Sequence, residues 1–200
     1  MKVLSWNYRG NYNATTVRAL KAEIKGISPD VIFLCETKAS ASRMEEVLNS
    51  IKFADMCVVE AKGITGCICV MWKVGFMIHQ VEYNKNLIAV KVFDALCSWL
   101  LVGFYGPPYP AKKQKGNTFT WARGRWGSSA IKRRLDRAIA SISWRLAFPK
   151  AVVAHLGAIN SDHAPILLDT KPEESFTHRP FRFEATWIRD NGCNSVVEKA

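Results

Sequence analysis

The sequence predicts an α/β sandwich with mixed sheets, and three observations carry that prediction. The continuous apolar run Val31-Ile32-Phe33-Leu34-Cys35 has the character of a strand covered on both faces. Amphipathic helical patterns flank it: Val17, Leu20 and Ile24 share one face of residues 15–25, and Met44, Val47, Leu48 and Ile51 share another. From Met56 the period shortens to that of strands, with Gly, Asn or Asp turn signals between them. Helices interleaved with strands and followed by antiparallel hairpins are the pattern of layered α/β packing.

Taken in order, residues 2–7 read as a first strand that ends on a polar residue, Asn7. Ser28-Pro29-Asp30 breaks the first helix, and the apolar strand after it delivers Glu36-Thr37-Lys38 at its carboxyl end. Ser42 with Glu45 has the spacing of a capping box and opens the second helix. Five strands follow over 56–60, 67–72, 77–83, 87–93 and 99–105, with Asn84-Lys85-Asn86 and Asp94-Ala95 as hairpin connections. Pro107 and Pro108 stop the fifth. Residues 118–121 read as a short strand. A basic helix capped by Ser128 or Ser129 runs through Ile131, Leu135, Ala138 and Ile139. A helical turn over 143–148 and strands over 151–156 and 164–168 complete the domain, and beyond Lys171 the chain is polar and irregular.

A length of 200 residues, 48% of them hydrophobic, suits one domain with a substantial core. No stretch approaches a membrane span and the opening residues are not a signal peptide, so the expectation is an intracellular protein with no membrane partner. The six cysteines lack C-x-x-C spacing and sit mostly in apolar runs, as buried thiols in a reducing compartment do. The formal charge of +11 favours a polyanionic partner, nucleic acid first. Much of it clusters in Lys112, Lys113 and Lys115, then Arg123 and Arg125, then Lys132, Arg133, Arg134 and Arg137, with Trp121 and Trp126 interleaved as a base-stacking surface or as core.

Several strand ends carry polar residues that can meet: Asn7, Glu36, Tyr105 and the pair Asp162-His163. Neighbours on an extended chain point to opposite faces, so Asp162 does not itself hold the imidazole of His163. Carboxylate and amide oxygens beside an imidazole suit a hard divalent ion and a phosphate, and a phenol donates to a phosphate oxygen. Each residue also has a plain structural role open to it. Asn7 can end a strand, Glu36 can start a helix, Tyr105 can be core, and Asn160-Ser161-Asp162 can be an ordinary turn. Four such residues at successive strand ends favour the ligand crevice.

In their order, Ser5-Trp6-Asn7, Glu36-Thr37-Lys38, Tyr105-Gly106-Pro107-Pro108, Arg134-Leu135-Asp136-Arg137 and Ser161-Asp162-His163-Ala164-Pro165 resemble the endonuclease/exonuclease/phosphatase superfamily. The chain is most similar to the apurinic-type endonuclease domain of plant LINE (non-LTR) retrotransposons, over residues 1–170. The resemblance implies a four-layer α/β sandwich of two mixed β-sheets flanked by helices. It implies that Glu36 binds Mg2+ (or Mn2+) and that Asn7 helps place the metal or the phosphate. Tyr105 and His163 would meet the scissile phosphate, Asp136 would orient the imidazole, and Asp162 would lie near the metal or the attacking water. Lys132, Arg133, Arg134, Arg137, Arg123 and Arg125 would face the DNA backbone. A nuclear location fits such a substrate. The segment 171–200 resembles a truncated linker toward a reverse transcriptase. Lipid and inositol phosphatases of the superfamily are disfavoured by the LINE-like motifs.

The departure is a Gly-Asp-Phe-Asn motif, which family members carry on a core strand between the Tyr-Gly-Pro-Pro and Phe-Thr-Trp elements. Here residues 106–117 hold no Asp and are too few for a helical crossover and a strand. One core strand and a helix are therefore expected to be missing, with the seam near Lys115-Gly116. The expected function is a metal-dependent endonuclease acting on DNA phosphodiesters, catalytically impaired. The alternatives are a non-catalytic nucleic-acid-binding remnant and a fragment without function.

Overall fold

The computed structural model describes residues 1–8, 14–60, 67–94, 96–106, 121–123, 131–133, 135–157 and 162–172. Strand β1 (Lys2–Asn7) leads through helix α1 (Ala14–Ile27) to the parallel strand β2 (Val31–Cys35). Helix α2 (Ala41–Ile51) then precedes β3 (Asp55–Val59) and β4 (Ile68–Trp72). Strands β5 (Met77–Asn84), β6 (Leu87–Phe93) and β7 (Ser98–Phe104) form a meander. The chain closes with β8 (Trp121–Arg123), β9 (Ile131–Arg133), α3 (Ile142–Ala147), β10 (Val152–His155) and β11 (Ile166–Asp169).

The main sheet is mixed, in the order β10-β11-β1-β2-β4-β3, with β1 and β2 its parallel pair. The second sheet, β5-β6-β7, is antiparallel throughout, and β8 pairs with β9 as a ribbon. All five residues of β2 are buried, as its unbroken apolar run requires. Ile32 and Leu34 face Leu20, Met44 and Val47 of the two helices. Val31, Phe33 and Cys35 face Ile78, Ile88, Val90 and Val92 of the second sheet. The strand is thus the middle of the sandwich, and the α/β architecture is the one the sequence predicts.

Gly103 sets how closely the sheets approach. A Cβ there would lie 2.1 Å from Cε2 of Phe33, so only glycine lets β7 rest on that ring. β7 is the end strand of its sheet among the described residues, and Leu100, Val102 and Phe104 on its outer side are about half exposed.

Two local expectations are corrected. Helix α2 is capped two residues earlier than the Ser42-Glu45 pattern suggests. The Ser40 side chain accepts from the Arg43 amide, and Ser42 Oγ bonds to Ser40 Oγ instead. The basic helix through Ile131 and Ile139 does not form: 131–133 is a strand paired to β8, and 135–141 is irregular. Two turns of amphipathic spacing are too few to hold a helix against a competing strand pairing. The proposed caps Ser128 and Ser129, residues 118–120, the seam at Lys115-Gly116 and the segment beyond Pro172 lie outside the described residues.

Candidate active site

The parallel register places Asn7 opposite Cys35, so β1 and β2 deliver Asn7 and Glu36 at the same end of the sheet. Glu36 takes a left-handed conformation, φ 55°, which costs energy in a residue with a Cβ. Such strain persists where the surroundings hold a side chain in one direction. Here Oε1 of Glu36 accepts from the Asn7 amide at 3.1 Å and from the Tyr105 hydroxyl at 2.6 Å. Tyr105 follows β7, and its backbone amide donates to the Asn86 carbonyl at 2.7 Å. One carboxylate therefore ties the two sheets together at the mouth of the sandwich.

β11 runs antiparallel to β1, with Ile166 opposite Ser5, so the residues before β11 lie beside the exit of β1. His163 is buried there. The Trp6 indole donates to its carbonyl at 3.1 Å. Its Nδ1 lies 2.9 Å from Asp136 Oδ2, and its Nε2 lies 3.5 Å from the Asn7 amide nitrogen. With Nδ1 committed to Asp136, Nε2 is the nitrogen that faces Asn7. Asp136 reaches this point from 135–141, which is irregular rather than helical.

Asp162 turns the other way, as adjacent residues on an extended chain must. Its Oδ2 accepts from the Trp121 indole at 2.7 Å. Trp121 also forms a backbone bridge to His163 and sets its ring 6.5 Å from the imidazole. The sequence names Trp121 only as a stacking or core residue. No local pattern signals a contact 41 residues along the chain. Beneath the site, burial pushes the Cys35 thiol well up, and the charges of Asp136 and Glu36 push it further.

Asn7, Glu36, Tyr105, Asp136 and His163 thus form one connected group, with Asp162 beside it on Trp121. Of the basic residues, Arg123, Lys132 and Arg133 lie on the β8–β9 ribbon and Arg137 follows Asp136. Arg125 and Arg134 lie outside the described residues.

The architecture matches solved structures. The endonuclease domain of TRAS1, a telomere-specific non-LTR retrotransposon, superposes with a TM-score of 0.60 at 14% identity, covering 86% of this chain and 99% of that one. The fold is of the endonuclease/exonuclease/phosphatase type. TDP2 from C. elegans gives a TM-score of 0.57 at 14% identity, covering 84% of this chain and 74% of its own. D. rerio TDP2, complexed with a single-strand DNA product, gives 0.56 at 13% identity, covering 84% and 97%. At such identities the likeness is one of fold. No protein-family model matches the chain, and no curated protein matches it in sequence.

The donor set can be tested against a divalent cation. Among the described residues no three His, Cys, Asp or Glu side chains are grouped so that they could hold one metal ion. Mg2+ asks for less: it binds through one or two carboxylates and takes its other ligands from water and phosphate. Glu36, with the Asn7 amide beside it, fits that requirement. Among the described residues no helix is long and apolar enough to cross a membrane.

Proposed function

We propose that the chain is an endonuclease-type domain that binds DNA and engages a phosphate between Glu36 and His163, with hydrolysis of the phosphodiester impaired. The observation that carries this reading is the continuous set of contacts Asp136–His163–Asn7–Glu36–Tyr105 at the strand ends. Glu36 and Asn7 would hold Mg2+ or Mn2+, which when bound supplies charge neutralisation and Lewis-acid polarisation of a phosphate oxygen. Asp136 fixes the imidazole so that Nε2, when protonated, donates to a phosphate oxygen and stabilises charge there. Tyr105 offers a hydroxyl to the same phosphate. The β8–β9 ribbon with Arg123, Lys132 and Arg133, together with Arg125, Arg134 and Arg137, would track the backbone.

Impairment follows from the sequence between β7 and β8. Residues 106–117 contain no Asp, so no Asp-x-Asn pair is present there to activate water and hold the phosphate. A general base contributes about 10²–10⁴-fold and an electrostatic donor about 10²–10³-fold. The test is Mg2+-dependent nicking of supercoiled plasmid. It compares this chain with a version carrying an Asp-x-Asn strand inserted at Lys115-Gly116, and each with its His163→Ala variant. We expect no nicking from the first, recovery in the second, and loss again with His163→Ala. Robust nicking by the unaltered chain that depends on His163 would refute the impairment, and a silent restored chain would refute the nuclease reading.

A further inference from the structure

We propose that Thr37 is the positioning residue of Glu36, the anchor of a bulge that turns the carboxylate across the sheet and into the crevice. This deepens the reading just given and rests on it for the role of Glu36. Side chains alternate along β2, so Ile32 and Leu34 face the helices while Phe33 and Cys35 face the second sheet. Continued by one residue, that period sends Glu36 toward the helices. Its contacts lie on the other side. Tyr105 packs against the core between the sheets, and Asn7 shares the face of Val3, which belongs to that core. Glu36 Oε1 accepts from both. The carboxylate is therefore turned from one face of the sheet to the other.

The ladder between β2 and β4 locates the turn. Regular pairing ends with Cys35 opposite Ile68. The Lys73 amide donates to the Asp30 carbonyl at 3.0 Å, and hydrogen-bonded pairs recur every second residue, so the next is due between Glu36 and Cys67. The Cys67 carbonyl receives the amide of Thr37, one residue late, at 3.4 Å. Two residues thus stand opposite one, as in a β-bulge, which re-aims side chains beside active sites. Both sides of the bulge are left-handed, Glu36 at φ 55° and Cys67 at φ 64°. Such conformations cost energy in residues with a Cβ and persist only where the surroundings hold them. Thr37 supplies that hold: it is completely buried, between half-buried Glu36 and exposed Lys38. A residue that acts through another changes the coupling that other makes, and this separates positioning from general packing.

The test is a double-mutant cycle of Glu36→Ala and Tyr105→Phe on the full chain, read by chemical denaturation. In the parent the two changes should couple by roughly tenfold to a hundredfold in the unfolding constant, the worth of a hydrogen bond to a charged group. With Thr37→Ala the coupling should fall below about threefold, near the additivity of independent sites. Thr37→Val keeps the branched shape and should retain it. If Thr37→Ala does not fold, an ester in place of the peptide bond before Thr37 removes only its N–H, and the same loss of coupling is expected. Mn2+ alone, followed by electron paramagnetic resonance, reads the site: Glu36→Ala should abolish binding and Thr37→Ala should weaken it. Mn2+ binding that is undetectable, or unchanged by Glu36→Ala, overturns the functional reading and this inference with it. Binding that needs Glu36, with a Glu36–Tyr105 coupling absent from the parent or as large in Thr37→Ala, overturns the inference alone, even where Thr37→Ala lowers stability.

Discussion

Removing Asp136 should expose how the imidazole of His163 is held. The His163 side chain is only 4% exposed, and its Nδ1 meets Asp136 Oδ2 at 2.9 Å. Asp136→Ala leaves a buried N–H without that acceptor, a loss of about 1–3 kcal/mol for a group fully cut off from water. Asp136 is 21% exposed, so water can reach part of the vacated space and the lower half of that range applies. In a domain of this size each kcal/mol lowers Tm by about 2–4 °C, so the expected fall is about 2–8 °C. Asp136→Asn keeps an oxygen acceptor in place and should lose less than half as much. Differential scanning calorimetry gives the two Tm values, and two-bond 1H–15N spectra of the His163 ring show whether Nδ1 keeps its proton. If both variants melt like the parent, and the ring tautomer is unchanged in Asp136→Ala, Asp136 does not hold His163.

Four further outcomes are expected. Gly103→Ala places a Cβ within 2.8 Å of three Phe33 ring atoms and should destabilise by about 1–3 kcal/mol in chemical denaturation. Duplex DNA affinity should fall linearly with salt on logarithmic axes, persist in EDTA, and lose about 2 units of slope in an Arg133→Ala/Arg134→Ala double variant. Burial raises the thiols of Cys35 and Cys69 well above the ordinary range, so they stay protonated in the fold while unfolded thiols ionise near 8.5. Their contribution is complete below that pH and is lost as pH rises through the folded values, so denaturant midpoints should fall from about pH 8.5 upward and stay flat below. Finally, β7 is an end strand with exposed Leu100, Val102 and Phe104, so Val102→Lys should reduce self-association in sedimentation velocity.

How much of this is legible in the sequence depends on the length of chain that carries the signal. β2 is plain, because five apolar residues in a row admit few other readings, and with it the position of Glu36 at its end. The two helices of the first sixty residues follow from their own periodicity. The stretch 131–141 misleads for a physical reason. Ile131, Leu135 and Ala138 have helical spacing, but Ile131 is paired to Arg123 of β8 and Asp136 is bound to His163. The Trp121–Asp162 bond has no sequence signature, since a donor and an acceptor in separate elements become partners only when β8 and the turn before β11 lie side by side. Strand-end polar residues are readable one at a time; which atom meets which is a property of the assembled sheets.

The floor of the crevice is electronegative, and this bears on what the positive chain can do. Cys35 is pushed up first by burial and then by both Asp136 and Glu36, so one thiol feels the field of two carboxylates at once. Asp162 adds a third acid at the rim, and a single imidazole stands against them. An approaching phosphate meets that field as well. The excess of +11 over the whole chain attracts DNA at a distance, and salt screens it over about 10 Å at 0.1 M. It does not cancel the carboxylates of Glu36 and Asp136 beside the strand ends. On the reading proposed here, positive charge has to enter the crevice itself, as a cation on Glu36 and a proton on His163. Holding duplex DNA and engaging one phosphate are then separable steps, which is why the first should persist in EDTA. Turnover asks for a third element, an acid free to take a proton from water. Glu36 is bound to Asn7 and Tyr105, Asp136 to His163 and Asp162 to Trp121, so each acid of the site already has a partner.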